Sequence, residues 1–291
     1  MPEFLLEAWH VLWHAFLDSV TVLPFLFLTY LLMEFLEHKA GERVERAVAR
    51  AGKAGPAIGG ALGLLPQCGF SAAIAGLFAG RVVTVGTVVA VFLATSDERI
   101  AVCLGQGMPW HVVLVALAVK LAVAMLVGFL VDLVLRNRQG TPHVEDLCEA
   151  EGCHCEKGIW RSALHHTLHI FLFVFLINIG LGALLEALGA ERLALVFNGV
   201  PVLGQAIAAL IGLIPNCAAS VAIATLYAGG TISAGSMIAG LLTGAGAGLL
   251  VLFRTNKHLR ENLQIVAVLF ATALLVGCLL DYTGFAILIG L

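Results

Sequence analysis

The chain has 291 residues, of which 60% are hydrophobic and only 12% are charged, and its mean hydropathy is +0.99. A soluble globular protein of this length has too little interior for so much apolar side chain, so the composition indicates an all-α, polytopic membrane protein. The net charge of −3 is not informative by itself, whereas the placement of the charges is. No nucleic-acid partner is predicted. Neither a GxxxxGK[ST] loop nor a dinucleotide-binding fingerprint occurs, which argues against a nucleotide-driven pump.

Apolar runs predict the helices in chain order. A first long helix covers 9–36, a charged segment follows at 37–53, and further runs lie at 56–66, 69–80, 82–96 and 110–135. After a polar loop the order returns, with runs at 163–188, 203–214, 218–228, 231–253 and 263–281. The four short pieces have about 11–12 residues each, fewer than the ~20 that span a bilayer. Each short pair is therefore predicted to form a re-entrant hairpin or a broken helix, enclosed by protein or lining a wet cavity.

A shared motif interrupts both short pairs. The sequence GLLPQCGFSAA begins at Gly63, and GLIPNCAASVA begins at Gly212, 149 residues later. Proline cannot donate a backbone hydrogen bond and frees carbonyl oxygens nearby. With the amides, thiols and hydroxyls beside it, the motif predicts a substrate site with oxygen and sulfur ligands, formed by Gln67, Cys68, Ser71, Asn216, Cys217 and Ser220. The alternative is that the prolines only kink the helices and the cysteines pack as small apolar residues.

The distribution of Lys and Arg predicts the orientation of the halves. If each hairpin returns to its own side, thirteen Lys and Arg lie on one side of the membrane and only Arg99 and Arg192 on the other. The crowded side is then cytoplasmic, both termini lie outside, and the halves are inverted-topology repeats. The predicted organisation is a first repeat over 1–136, a cytoplasmic loop over 137–159 and a second, inverted repeat over 160–291.

The leading helix of each half has a row of polar residues on one face. His10, His14 and Asp18 share one helix face, and His165 or His166 with His169 occupies a similar face in the second half. Imidazole and carboxylate groups suit Mn, Fe, Co, Ni and Zn, so these side chains are predicted metal ligands. The alternative places the outermost histidines in the headgroup region.

The first half also has charged groups near a helix end and inside a span. Asp97 and Glu98 close the run at 82–96 and are predicted metal ligands or a solvated helix cap. Lys120 lies well inside a predicted span, where it needs a carboxylate or an aqueous cavity. Asp18, Asp97 and Lys120 are the predicted proton-coupling or counter-ion groups.

The cytoplasmic loop is rich in metal-binding residue types. It contains His143, Cys148, Cys153, His154 and Cys155 within thirteen residues. In a reducing cytosol these groups can hold Zn, Cu(I) or trivalent arsenic as a sensor or delivery loop, although the spacing fits no standard zinc finger. A flexible linker with incidental thiols is the alternative.

Together, the two Pro-x-Cys motifs, the leading histidine helix, the ATSDE segment at 94–98 and the His/Cys loop resemble the ten-transmembrane heavy-metal exporter family. Its members are described as arsenic efflux proteins or manganese transporters. The motifs also resemble, more distantly, the Pro-Val-Cys motif of arsenical permeases. That motif has a second cysteine directly after the first, where this chain has Gly69-Phe70 and Ala218-Ala219.

These observations predict a secondary-active exporter of a divalent transition metal, with Mn(II) favoured, driven by proton antiport across a prokaryotic cytoplasmic membrane. The predicted partners are the transported ion and the lipid bilayer, with no cofactor, and a homodimer is compatible with the sequence. Efflux of arsenite or organoarsenicals through the cysteines is one alternative. An intramembrane metalloenzyme or a metal sensor acting through the loop is the other.

Overall fold

The structure is a computed structural model. It describes residues 54–64, 68–96, 109–135, 202–215 and 217–283, together with separate helical positions between 9 and 31 and between 164 and 180. Within these ranges every regular element is a helix and no strand occurs. The predicted all-α class is therefore confirmed.

Two successive sets of helices are described. The first set is α1 (Gly55–Gly63), α2 (Cys68–Ala79), α3 (Val85–Ala94) and α4 (Trp110–Leu135). The second set is α5 (Leu203–Gly212), α6 (Cys217–Ala228), α7 (Ala234–Thr243), α8 (Ala247–Thr255) and α9 (Leu259–Thr283). Helices α2, α3 and α4 begin 149 residues before α6, α7 and α9. The spacing found between the two Pro-x-Cys motifs thus holds through most of each half.

The prolines end the short helices as predicted. Helix α1 ends at Gly63, ahead of Pro66, and α5 ends at Gly212, ahead of Pro215. Proline lacks the donor that the next helical turn needs, and it disfavours helical geometry in the residue before it. New helices then begin at Cys68 and Cys217. The four predicted short pieces are confirmed, with bounds that agree within three residues.

The two sets pack in the same way. Helix α3 contacts α1 and α4, and α7 contacts α5 and α9. The interior of each set is helix α3 or α7, and nearly every residue of these two helices is buried. Glycines allow the close approach to the long helices: a Cβ at Gly128 would lie 2.7 Å from the Gly86 carbonyl oxygen, and one at Gly277 would lie 2.7 Å from that of Gly235.

The long helices α4 and α9 form the outside. Leucines on one side of α4 are exposed, among them Leu114, Leu126 and Leu130, and so are Leu263, Leu275 and Leu279 at the equivalent positions of α9. Among the described residues, three segments are long and apolar enough to cross a membrane: Trp110–Leu135, Ala234–Thr255 and Leu259–Thr283. The exposed leucine faces are the lipid-facing surfaces expected for such helices.

The predicted continuous run at 231–253 is interrupted, which corrects the sequence prediction. Helix α7 ends at Thr243 and α8 begins at Ala247, and Gly246 between them has φ 55° and ψ −145°. This backbone conformation is open to glycine and closed to most other residues. Helix α3 ends at the equivalent place, because Thr95 leaves helical geometry with φ −46° and ψ 122°. The second half therefore has a further helix break in its interior, and α3 of the first half ends at the equivalent buried place.

Candidate functional site

A helix break from each half meets the other in the interior. Helix α2 packs against α8, and a Cβ built on Gly248 would lie 2.7 Å from the Cβ and Oγ atoms of Ser71. Ser71 follows Cys68 by one helical turn and is buried, and Gly248 lies just after the interruption at residues 244–246. The Pro-Gln-Cys break of the first half therefore adjoins the glycine break of the second half.

The break after α3 is held by polar groups from three helices. The Thr95 hydroxyl donates to the Val91 carbonyl oxygen at 2.7 Å, and the Ser96 amide N–H donates to the Gly63 carbonyl oxygen at 3.2 Å. The Lys120 ammonium, from α4, donates to the Thr95 carbonyl oxygen at 2.5 Å. The C-terminal end of a helix has unpaired carbonyls and a partial negative charge, so a cation there is favourable. Lys120 thus caps the C-terminal end of α3 from a buried position.

The equivalent break after α7 is built differently. Leu269, which is fully buried, stands at the position equivalent to Lys120. The Thr243 hydroxyl lies 2.8 Å from the Ala209 carbonyl oxygen and 3.1 Å from that of Gly240, and the Ala245 amide donates to the Thr243 carbonyl oxygen at 2.9 Å. The two breaks therefore differ in charge: an ammonium group lies at the first, and a leucine occupies its place at the second.

A carboxylate at the far end of each long helix caps the neighbouring interior helix. Asp132 accepts a hydrogen bond from the Thr84 hydroxyl at 2.7 Å and from the Gly86 amide at 2.8 Å. Asp281 accepts from the Ser233 hydroxyl at 2.6 Å and from the Gly235 amide at 2.9 Å. The anionic side chain satisfies donors at the start of α3 or α7, where a helix favours negative charge.

The sequence interpretation missed these two caps. Thr84-Val85-Gly86-Thr87 and Ser233-Ala234-Gly235-Ser236 are 149 residues apart, as are the two aspartates, so the repeat itself contained the information. The caps are not identical, because Asp281 also accepts from the Gln205 side-chain amide at 2.5 Å, whereas Pro56 stands at the position equivalent to Gln205.

A polar cluster joins the two halves at the end of α2. The Arg81 guanidinium forms an ion pair with the Glu261 carboxylate at 2.8 Å and a hydrogen bond with His258 Nδ1 at 3.2 Å. Beneath it, the Asn256 amide donates to the Asn262 side-chain oxygen at 2.7 Å, and the Asn262 amide donates to the Asn256 carbonyl oxygen at 2.9 Å. The turn after α2 and the loop before α9 therefore lie on one surface.

The described part of the chain includes four predicted site side chains. Ser71, Ser220 and Lys120 are buried, whereas His169 is exposed on its helix. Cys68 and Cys217 are the first residues of α2 and α6, and the structure does not describe their side chains. The other predicted site residues lie outside the described residues: Gln67, Asn216, His14, Asp18, Asp97, Glu98, His165, His166, His143, Cys148, Cys153, His154 and Cys155.

Within the described ranges, no three His, Cys, Asp or Glu side chains come together as a metal-binding group. The predicted metal ligands therefore stay predictions. What the described residues do provide is a buried contact between Ser71 of the first half and Gly248 of the second, each just after a helix break. The Lys120 ammonium group lies at the end of α3. Irregular backbone inside a membrane protein is tolerated where protein or a wet cavity encloses it.

The fold and these interior breaks define a multi-pass helical membrane protein with discontinuous helices. Residues 8–202, about two thirds of the chain, match the model of a family described as "Putative, 10TM heavy-metal exporter". The chain belongs to this family, as its motifs predict, and membership indicates a heavy-metal exporter rather than an enzyme. No curated protein and no solved structure matches the chain.

Proposed function

We propose that the protein exports a divalent transition metal, with Mn(II) favoured, from the cytoplasm of a prokaryotic cell by proton antiport. The substrate binds where the helix breaks of the two halves adjoin, and alternating access exposes this point to each side of the membrane in turn. The contact between Ser71 and Gly248 is the main support, because it brings the two breaks together. Broken helices near the midplane are typical substrate sites of secondary transporters.

The Arg81–Glu261 ion pair supports an inverted orientation of the halves. The segment Ala234–Thr255 is long enough to cross the membrane, so the turn before it and the loop after it belong to opposite surfaces. Glu261 lies beside the loop after this segment, and Arg81 contacts it. Arg81 is equivalent to Gly230, which lies in the turn before the segment; both have positive φ, 57° and 69°. Equivalent turns on opposite surfaces are what inverted repeats require.

The donor set of the proposed site suits a borderline metal. Amide and hydroxyl oxygens come from Gln67, Ser71, Asn216 and Ser220, and Cys68 and Cys217 add thiols. Lys120 holds a positive charge at the end of α3, which repels a cation there. We therefore assign carbonyl ligation of the metal to the break at residues 244–246, after α7, where Leu269 stands in place of the lysine. His14, Asp18, His165, His166, His169, Asp97 and Glu98 would line the routes to this point.

Proton antiport follows from the energetics of export. Moving one positive charge against a membrane potential of 100 mV costs about 2.3 kcal/mol, so a divalent cation costs about twice as much. Protons that enter as the metal leaves offset this cost. Asp18, Asp97 and Lys120 are the proposed groups that exchange protons or act as counter-ions.

Proteoliposomes test the proposal directly. The purified full-length protein is reconstituted with an internal metal-sensitive dye and, separately, an internal pH dye, and Mn(II) is added with and without a pH gradient. We expect saturable Mn(II) flux that moves protons in the opposite direction. The double substitution Gln67→Ala with Asn216→Ala should remove it, while Gln264→Ala on the exposed side of α9 should not. Metal flux with no opposite proton movement would disprove the antiport mechanism.

Efflux of arsenite or organoarsenicals is a second candidate, and the position of the cysteines favours it. Cys68 and Cys217 are each the first residue of a helix. Unpaired N–H groups and the helix dipole favour an anionic thiolate at such a position, and soft metalloids prefer thiolates. The double substitution Cys68→Ser with Cys217→Ser separates the candidates. It should abolish arsenite transport if arsenite is the substrate, and leave Mn(II) transport largely intact if Mn(II) is.

A further inference from the structure

The side chain of Gln205 has an unpaired acceptor in the protein interior. Gln205 is 6% exposed, and its Nε2 donates to Asp281 Oδ2 at 2.5 Å. Its Oε1 atom is buried and has no hydrogen-bond partner among the residues that the structure describes. Both atoms belong to one amide group, so the atom without a partner belongs to the group that binds the Asp281 carboxylate. Buried polar atoms nearly always have a hydrogen-bond partner or a ligand, which makes a missing ligand the physical expectation.

The first half shows that the helix cap does not need this glutamine. Thr84 and Asp132 form the same cap with Pro56 in its place, and Thr84 contacts Thr87 at 2.8 Å. The equivalent contact between Ser233 and Ser236 is 2.9 Å. The buried amide is therefore an addition confined to the second half, and structural capping alone does not explain it.

Among the described residues, Gln205 and its neighbours Ser233 and Asp281 provide oxygen atoms that can bind a cation, and Asp281 contributes one negative charge. These groups are the Asp281 carboxylate, the Ser233 hydroxyl 2.6 Å from it and the Gln205 Oε1 atom. Oxygen ligands suit hard cations, and one carboxylate balances one positive charge. We propose that Gln205, Ser233 and Asp281 form a Na⁺ site. The bound ion is then the partner that the Gln205 Oε1 atom otherwise lacks.

The location of this site suggests a role in transport, and this role rests on the proposed function. Asp281 follows Glu261 by twenty residues of α9, a helical rise of about 30 Å. The site thus lies at the end of α9 opposite to the Arg81–Glu261 pair, which is the outer surface in the proposed topology. Na⁺ bound there would come from outside the cell, and its inward movement would add to that of the protons as the metal leaves.

Binding of ²²Na⁺ to the purified full-length protein tests the site without any metal transport. We expect saturable binding to the wild type, and at least tenfold weaker binding after Gln205→Leu or Asp281→Asn. The matched controls are Gln264→Leu on the exposed side of α9 and Asp132→Asn in the equivalent cap, and both should bind Na⁺ like the wild type.

The thermal unfolding midpoint separates loss of the site from loss of the fold. NaCl should raise the Tm of the wild type above its value in choline chloride at equal ionic strength, and should not raise that of Gln205→Leu. No saturable ²²Na⁺ binding to a folded wild type would overturn the site, even if metal transport is observed. Na⁺ binding that is unchanged in Gln205→Leu would overturn it as well. Na⁺ binding without metal flux would instead contradict the proposed function.

Discussion

The ammonium nitrogen of Lys120 lies 2.5 Å from the carbonyl oxygen of Thr95, so a residue in the middle of one helix caps the broken end of another. We predict that Lys120→Leu lowers the initial rate of metal transport by more than about tenfold, equivalent to ~1.4 kcal/mol in the barrier. The fold should survive, because the equivalent position already contains the buried Leu269. Proteoliposome flux and the thermal unfolding midpoint measure the two effects. Leu269→Met, the control, should change the rate by less than about twofold, since this swap conserves volume.

The contact between α2 and α8 makes a second prediction. Gly248→Ala places a methyl group against Ser71, and overpacking of this kind costs about 1–3 kcal/mol in stability. Adding Ser71→Gly should recover part of the loss, because it removes the Cβ and Oγ atoms that the new methyl group meets and leaves the Ser71 backbone carbon at 2.8 Å. Gly180→Ala is the control, as a Cβ there meets no described atom within 4 Å. Thermal unfolding in detergent compares the wild type, the two single variants, the double variant and the Gly180→Ala control. Additive losses in the double variant would contradict the contact.

The two helix caps predict matching effects in the two halves. Thr84→Ala and Ser233→Ala each remove a hydroxyl that accepts from the helix and donates to the capping aspartate. Each should cost about 1–2 kcal/mol of stability. Thr84→Ser should be close to neutral, because serine does the same work at the equivalent position. A Thr84→Ser variant as unstable as Thr84→Ala would show that the methyl group, and not the hydroxyl, matters.

The ion pair between Arg81 and Glu261 predicts a coupling between residues 180 positions apart. Both groups are partly exposed, so the pair contributes roughly 0–1 kcal/mol to stability. Arg81→Glu places two carboxylates together and should reduce both stability and transport. The exchange Arg81→Glu with Glu261→Arg should restore part of each. A double-mutant cycle on the unfolding midpoint measures the coupling, and strict additivity would contradict it.

Cysteine labelling tests the inverted orientation. In a background where the loop residues Cys148, Cys153 and Cys155 are serine, Lys257→Cys should react with a membrane-impermeant thiol reagent from the cytoplasmic side. Trp110→Cys, at the start of α4, should react from the outside. Both positions are exposed. Labelling of both from the same side would refute the proposed topology.

The short helices could be predicted because proline and a polar pair mark their ends. Pro66 and Pro215 interrupt apolar runs, so the interruption is visible in the hydropathy pattern, and proline also disfavours a continuous helix. The break at residues 244–246 was missed because glycine and alanine are apolar, so hydropathy continues through a place where the helix stops. The repeat offered an indirect indication, since these residues are equivalent to Thr95, Ser96 and Asp97.

The polar contacts of the candidate site were less predictable. Lys120 was identified as exceptional because a buried ammonium group is costly, but its contact with a backbone carbonyl depends on where α3 ends. Asp132 and Asp281 lie near helix ends, where aspartate is common, and only their shared spacing distinguishes them. Gln205 gave no indication at all, because its partner Asp281 is 76 residues away.

The constant spacing of 149 residues has a consequence for the history of the chain. It holds from the first Pro-x-Cys motif to the last described helix, so the halves correspond without insertion or deletion over this stretch. A half-length ancestral gene that was duplicated and fused would leave such a record, and its product would have worked by pairing with itself. The lysine and the glutamine that only one half contains are among the positions at which the two halves now differ.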